Sequence, residues 1–233
     1  MNNKKTVCAY FLLAALLFYN SAAAQKVVAE RDEPHHKVVF ENEYIRLVEG
    51  HVPDHDTTLA HIHSANSVVV FLSKSTLGIQ LTGEKPVVTE VSPGDMVYRA
   101  YGDKPITHIV WNQSKPVLHF IVVEMTKKMG GNDTCATLSQ PGTTFQWQQP
   151  LVKTYYMDIA KDGHYSLPES SCAYLLIDVS GRVNVSGRGK AVSPGRMRSL
   201  QADDFVYFPP HSGIEINGGD NENTRCVLLQ LND

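Results

Sequence analysis

Between Val38 and Met125 no stretch repeats apolar residues at helical spacing for three turns, which argues against a helical bundle. Charge of one sign is also in short supply: 21 lysines and arginines stand against 24 acidic residues, a formal net charge of −3. Without a clustered basic face there is no electrostatic footprint for nucleic acid. No P-loop, no dinucleotide glycine fingerprint and no G-x-S-x-G nucleophile elbow is present, so the common nucleotide-binding and serine-hydrolase signatures drop out. Cysteine is sparse. Beyond Cys8, only Cys135, Cys172 and Cys226 occur, and their spacing fits no zinc motif. Three thiols cannot all pair within one chain, so one disulfide and one buried free thiol are expected.

The start of the chain reads as a leader. Lys4 and Lys5 precede an apolar stretch from Val7 to Tyr19, and Ser21-Ala22-Ala23-Ala24 follows. A basic segment, a short apolar segment and a small-residue cleavage site make up a secretory signal peptide, expected over residues 1–24. The apolar stretch is short and wrongly flanked for a membrane span, and retention as an N-terminal anchor is the bland alternative. Cys8 lies ahead of it rather than at its end, which speaks against a lipid anchor. The mature chain is expected to be secreted or periplasmic, without stable membrane insertion. Its composition, 42% hydrophobic and 19% charged, is ordinary for a soluble globular protein.

What remains reads as short strands between turns. Tyr44-Ile45-Arg46-Leu47-Val48-Glu49 alternates apolar and polar residues, and Leu77–Leu81 and Val87–Val91 flank Thr82-Gly83-Glu84-Lys85-Pro86 as a hairpin does. Strands spaced this closely predict an all-β sandwich or barrel. After a polar connector rich in Gly, Thr and Gln, the same order of signals returns. Asp95-Met96-Val97-Tyr98 parallels Asp204-Phe205-Val206-Tyr207, and Val122-Val123-Glu124-Met125 parallels Leu228-Leu229-Gln230-Leu231. An internal duplication of about 100 residues fits two modules of ordinary domain size.

His61-Ile62-His63 opens the apolar run Val68–Leu72. In an extended chain residues i and i+2 share a face, about 6–7 Å apart, so two imidazoles can converge on one metal ion. The bland reading is a pair of solvated or hydrogen-bonded histidines near a turn. Further along, Gly94-Asp95 opens a second motif, Gly102 follows, and His108-Ile109-Val110-Trp111-Asn112 has the form H-x3-N.

Together these residues resemble the cupin superfamily, and specifically a two-module cupin. The resemblance implies two tandem double-stranded β-helix barrels, related to jelly rolls. It places an N-terminal module at 25–126, a connector at 127–153 and a degenerate C-terminal module at 154–233. It also implies His61, His63 and His108 as ligands of a divalent transition metal: iron, manganese, nickel, copper or zinc. The chain departs from the family pattern at several points. His55 stands where the motif has glycine, Ala100 where it has proline, and Asn66-Ser67 where it has the ligand glutamate. Five residues rather than two separate Gly102 from His108. The aligned segment of the second module, Pro168-Glu169-Ser170-Ser171, carries no imidazole. That module is therefore expected to be scaffold, or the surface of a homodimer.

Three neutral imidazoles leave a metal its full charge and an open position, which favours a small anionic or chelating ligand. The leading expectation is an exported metal-dependent enzyme acting on a small organic molecule, with Tyr98 or Arg99 positioning the substrate; the resemblance to the family implies that it is of oxygenase type. These two residues lie on opposite faces of one strand, so only one of them can face a cavity. The alternatives are an isomerase or lyase, and a non-catalytic binding or structural cupin. His119 is expected to be a rim or core histidine. His35, His36 and His51 are expected to have no specific role, and His164 and His211 to lie at the surface.

Overall fold

A computed structural model describes residues 26–127, 135–189, 197–219 and 222–232; the expected leader, residues 1–24, lies outside them. Ten strands make up the first half: β1 (Val28–Ala29), β2 (His36–Glu41), β3 (Ile45–Val52), β4 (His61–His63), β5 (Asn66–Phe71), β6 (Ser75–Leu81), β7 (Val87–Val91), β8 (Met96–Ala100), β9 (Ile106–Asn112) and β10 (Leu118–Met125). Nine follow: β11 (Thr143–Gln149), β12 (Val152–Ile159), β13 (His164–Ser170), β14 (Ala173–Ser180), β15 (Arg182–Arg188), β16 (Arg198–Gln201), β17 (Phe205–Phe208), β18 (Ser212–Gly218) and β19 (Thr224–Leu231). A 3-10 turn at Glu30–Asp32 is the only helical element among the described residues. The fold is all-β, as the turn-rich alternation predicts.

The duplication is visible in the sheets. Strand order β2-β3-β10-β5-β8 is matched by β11-β12-β19-β14-β17, and β4-β9-β6-β7 by β13-β18-β15-β16, with β1 added at the edge of the first. Each pair of sheets closes around its own apolar core. Leu118, Phe120 and Val122 of β10 point into the first barrel, and Leu176 and Leu228 into the second. A third core lies between the barrels, where Ile121, Val123 and Met125 meet Leu175, Val227 and Leu229. β10 and β14 thus bury both faces, which explains why they read as nearly unbroken apolar runs. Burying one such side chain contributes roughly 1.5–3 kcal/mol.

Two features go beyond the sequence reading. β11 lies inside the expected connector and pairs antiparallel with β12; its phenylalanine and tryptophan join a sheet despite the polar residues around them. The chain ahead of Val38 is also structured. β1 pairs in parallel with β4, Val28 opposite His61, and the 3-10 turn that follows packs against β4 and β2. Cys135 is joined to Cys172, with Cα atoms 6.1 Å apart, and Cys226 is the buried free thiol.

Candidate metal centre

β4 and β9 are adjacent antiparallel strands with His61 directly opposite His108. The i, i+2 spacing puts His63 on the same inward face, and all three rings are buried. Their Nε2 atoms meet: His63 to His108 is 2.8 Å and His108 to His61 is 2.9 Å. The outer nitrogens explain the orientation. His61 Nδ1 lies 2.9 Å from the Leu59 carbonyl, to which its N–H donates. His63 Nδ1 lies 2.6 Å from a carboxylate oxygen of Glu30. With Nδ1 protonated, both rings turn a bare lone pair inward. Only His108 can bring a proton to the centre, and one proton cannot serve three nitrogens. Burial drives the pKa of His61 and His63 down to about 4 and that of His108 to about 2, with help from neighbouring imidazoles at His61 and His108 and from the Arg99 charge at His63 and His108. At neutral pH the three are uncharged donors, the form that binds a divalent transition metal. The donor set fits such an ion.

The fourth ligand of the cupin pattern is not supplied where that pattern has it. Ser67 occupies the position, buried on β5, directly across the ladder from Glu124 of β10 on one side and Arg99 of β8 on the other. Glu124 and Glu30 form a buried carboxyl pair beside His63. Burial raises both to about pKa 7, against the pull of Arg46, whose guanidinium lies 2.8 Å from Glu124. Neither carboxylate joins the three convergent nitrogens. Glu30 instead backs His63 from its outer nitrogen, the arrangement by which carboxylates orient metal-binding imidazoles.

The triad opens on a cavity of about 560 Å³. Its wall is mostly apolar, with Phe71, Phe120 and Val122 among the lining side chains, and Arg99 and Tyr101 also face it. The positive charge of Arg99 acts on both His63 and His108. Tyr98 does not face the cavity. Alternation turns it into the core between the barrels, edge-on to Trp147 at 6.3 Å, so of the two expected substrate-positioning residues only Arg99 faces the cavity.

His36, expected to have no specific role, lines the cavity with its ring edge-on to His61 at 4.9 Å. Its Nδ1 donates to the Glu30 carbonyl at 2.9 Å, and its buried Nε2 has no hydrogen-bond partner among the described residues. Asn112, the end of H-x3-N, braces the surrounding loops. Its Nδ2 donates to the carbonyls of Val52 and Pro116, and its Oδ1 accepts from Ser114. In the second barrel the β13–β18 ladder pairs Leu167 with Ile214 and Ser170 with Ser212. His164 and His211 are exposed, so no imidazole faces that core.

Sequence reasoning passed over Glu30, Glu124 and His36. For Glu124 there was a signal: one carboxylate interrupting the apolar run Leu118–Met125. For Glu30 and His36 there was none, because their segment is placed by pairing with β4.

No protein-family model and no curated protein matches the sequence, whereas many solved structures share its shape. One is the Streptomyces albus enzyme HEPD with Fe(II) and its substrate 2-hydroxyethylphosphonate, at TM-score 0.59 and 11% identity, covering 84% of this chain and 70% of that one. Another is the salicylate 1,2-dioxygenase of Pseudoaminobacter salicylatoxidans, at 0.58 and 10%, covering 81% and 71%. A third is an 11S globulin from Wrightia tinctoria, at 0.61 and 9%, covering 81% and 75%. The fold is therefore that of two tandem cupin barrels, as in the cupin 2 conserved barrel domain protein of Leptotrichia buccalis (TM-score 0.54, 8% identity, covering 84% of this chain and 88% of that one), with a candidate three-histidine metal site in the first.

Proposed function

We propose that this chain is an exported metal-dependent enzyme of oxygenase type that acts on a small, partly apolar anion in its first barrel. The observation that carries the reading is the convergence of three inward-facing Nε2 atoms, that of His108 lying 2.8 Å from His63 and 2.9 Å from His61, at an apolar cavity that also holds Arg99. His61, His63 and His108 would hold the ion, which when bound supplies Lewis-acid or redox chemistry at its open positions. The protein's own contribution is placement. Arg99 offers a fixed positive charge to a carboxylate or phosphonate, the phenylalanines exclude water from the rest of the molecule, and Glu30 and the Leu59 carbonyl hold two of the rings. The neighbours with phosphonate and salicylate in their names support an anionic substrate by analogy of fold alone. Export is supported by the leader-like residues 1–24 and by the Cys135–Cys172 bridge, a bond suited to an oxidising compartment.

The second reading is a non-catalytic cupin. It is favoured by Ser67 in place of a ligand carboxylate, and by the 11S globulin among the shape relatives. Elemental analysis of purified protein separates the two. One equivalent of iron, manganese, nickel, copper or zinc, lost in a His61→Ala/His63→Ala double variant, supports the enzyme. Oxygen uptake with small aromatic or aliphatic acids, sensitive to Arg99→Leu, then distinguishes an oxygenase from an isomerase or lyase. A double variant that keeps the same metal in the same amount removes the site and the function with it.

A further inference from the structure

The face of β3 and β10 that packs against the second barrel does not stay apolar to its end. Ile45 and Leu47 of β3 and Ile121, Val123 and Met125 of β10 lie in the core between the barrels. The same alternation continues on β3 to Glu49 and His51, and on β10 to His119. Register sets His119 directly opposite His51 and Ile121 opposite Glu49. The two imidazoles stack with centroids 4.0 Å apart and planes 20° from parallel.

Glu49 Oε1 lies 3.0 Å from His119 Nε2 and 4.0 Å from His51 Nε2, so it receives a hydrogen bond from His119 and stops short of one with His51. From the other half of the chain, the Asp203 carboxylate stands 3.5 Å from His119 Nδ1. Asp203 sits in the turn before β17 with φ at +76°, a conformation aspartate tolerates better than most residues. The His51 side chain is 50% exposed and that of His119 12%, so an ion can reach the cluster without opening the protein.

We propose that Glu49, His51 and His119 form a second divalent-metal site, of the zinc or copper class, at the edge of the seam between the barrels. Asp203 of the C-terminal half backs His119 from its outer nitrogen. One carboxylate and two imidazoles are a common protein ligand set for zinc and leave a position for water. All three candidate donor atoms lie within 4.8 Å of one another, and the half-exposed His51 ring is the one that would have to leave its stack on His119 to join an ion. Unlike the barrel centre, this site holds nothing inside a cavity. It joins strands of the first module to a turn of the second, so its ion would act as a clamp on the seam.

Zinc titration of the chelator-stripped full chain tests it, by calorimetry with elemental analysis. In the His61→Ala/His63→Ala background one equivalent of Zn²⁺ is expected to bind and to raise the melting temperature. Adding His51→Ala should abolish that equivalent, and Asp203→Asn should weaken it about tenfold or more. Should the background variant fold poorly, the comparison is wild type against His51→Ala alone, with stoichiometry falling from two to one. The proposal is overturned if the background binds no Zn²⁺, or if His51→Ala leaves stoichiometry and affinity unchanged. An Asp203→Asn variant with unaltered affinity would refute the link to the second module.

Discussion

Asp178 shows what a single misplaced charge does in this fold. It interrupts the fully buried run of β14. One of its oxygens accepts the Ser180 N–H at 3.1 Å, and the other has no hydrogen-bond partner among the described residues. Burial raises its pKa from 3.8 to about 7, against the Ser180 bond and with help from the nearby carboxylates of Asp204, Asp203 and Glu222. The folded state therefore holds this proton more tightly than the unfolded chain does. Between about pH 4 and 7 the unfolded chain releases it first, so this residue's contribution to stability falls as pH rises through that window and is lowest above 7. Asp178→Asn is expected to be more stable than wild type at pH 8, by a few kcal/mol at most at about 1.4 kcal/mol per pKa unit. That advantage should shrink toward zero by pH 4. Denaturant unfolding at the two pH values checks it; a gap independent of pH would refute the account.

Among the elements, the segment from β1 to β2 decides the most for its size. Its parallel pairing with β4 delivers Glu30 to His63 and His36 to His61. Glu33, buried at its centre, accepts hydrogen bonds from the His35 amide at 2.6 Å and from the Leu59 amide at 3.1 Å. Leu59 is the residue whose carbonyl orients His61. Removing the Glu33 carboxylate leaves those amides without their partner, and a hydrogen bond to a charged group contributes about 1.5–3 kcal/mol. Glu33→Ala should therefore lower both the melting temperature and the affinity of the barrel site for metal, while Glu33→Gln restores part of each. If stability falls while metal affinity stays the same, the segment braces the barrel without tuning the site.

For the molecule as a whole, the core between the barrels sets the cooperativity. Ile121 is buried in it, facing residues of the second module. Two barrels sharing such a core should unfold together, in one calorimetric transition. Ile121→Ala should cost about 2–5 kcal/mol and lower that transition without splitting it. Two separate transitions in the wild type would mean that each barrel stands by its own core alone.

Much of this architecture was legible in the linear chain. Period-two alternation and turn residues announced an all-β fold, repeated signals announced the duplication, and the spacing of His61 and His63 put two rings on one face. These are local properties, settled by backbone geometry within a few residues. What the sequence left open depended on which strands became neighbours. Alternation separated Tyr98 from Arg99, but only the pairing of β8 with β5 turned Arg99 to the cavity and Tyr98 to the seam. Glu30 reaches His63 from 33 positions away through the β1–β4 ladder. In β10 and β14, buried on both sides, continuous apolar sequence erased the alternation that would have marked an inward face. There tertiary packing, not local pattern, decided which side chains meet.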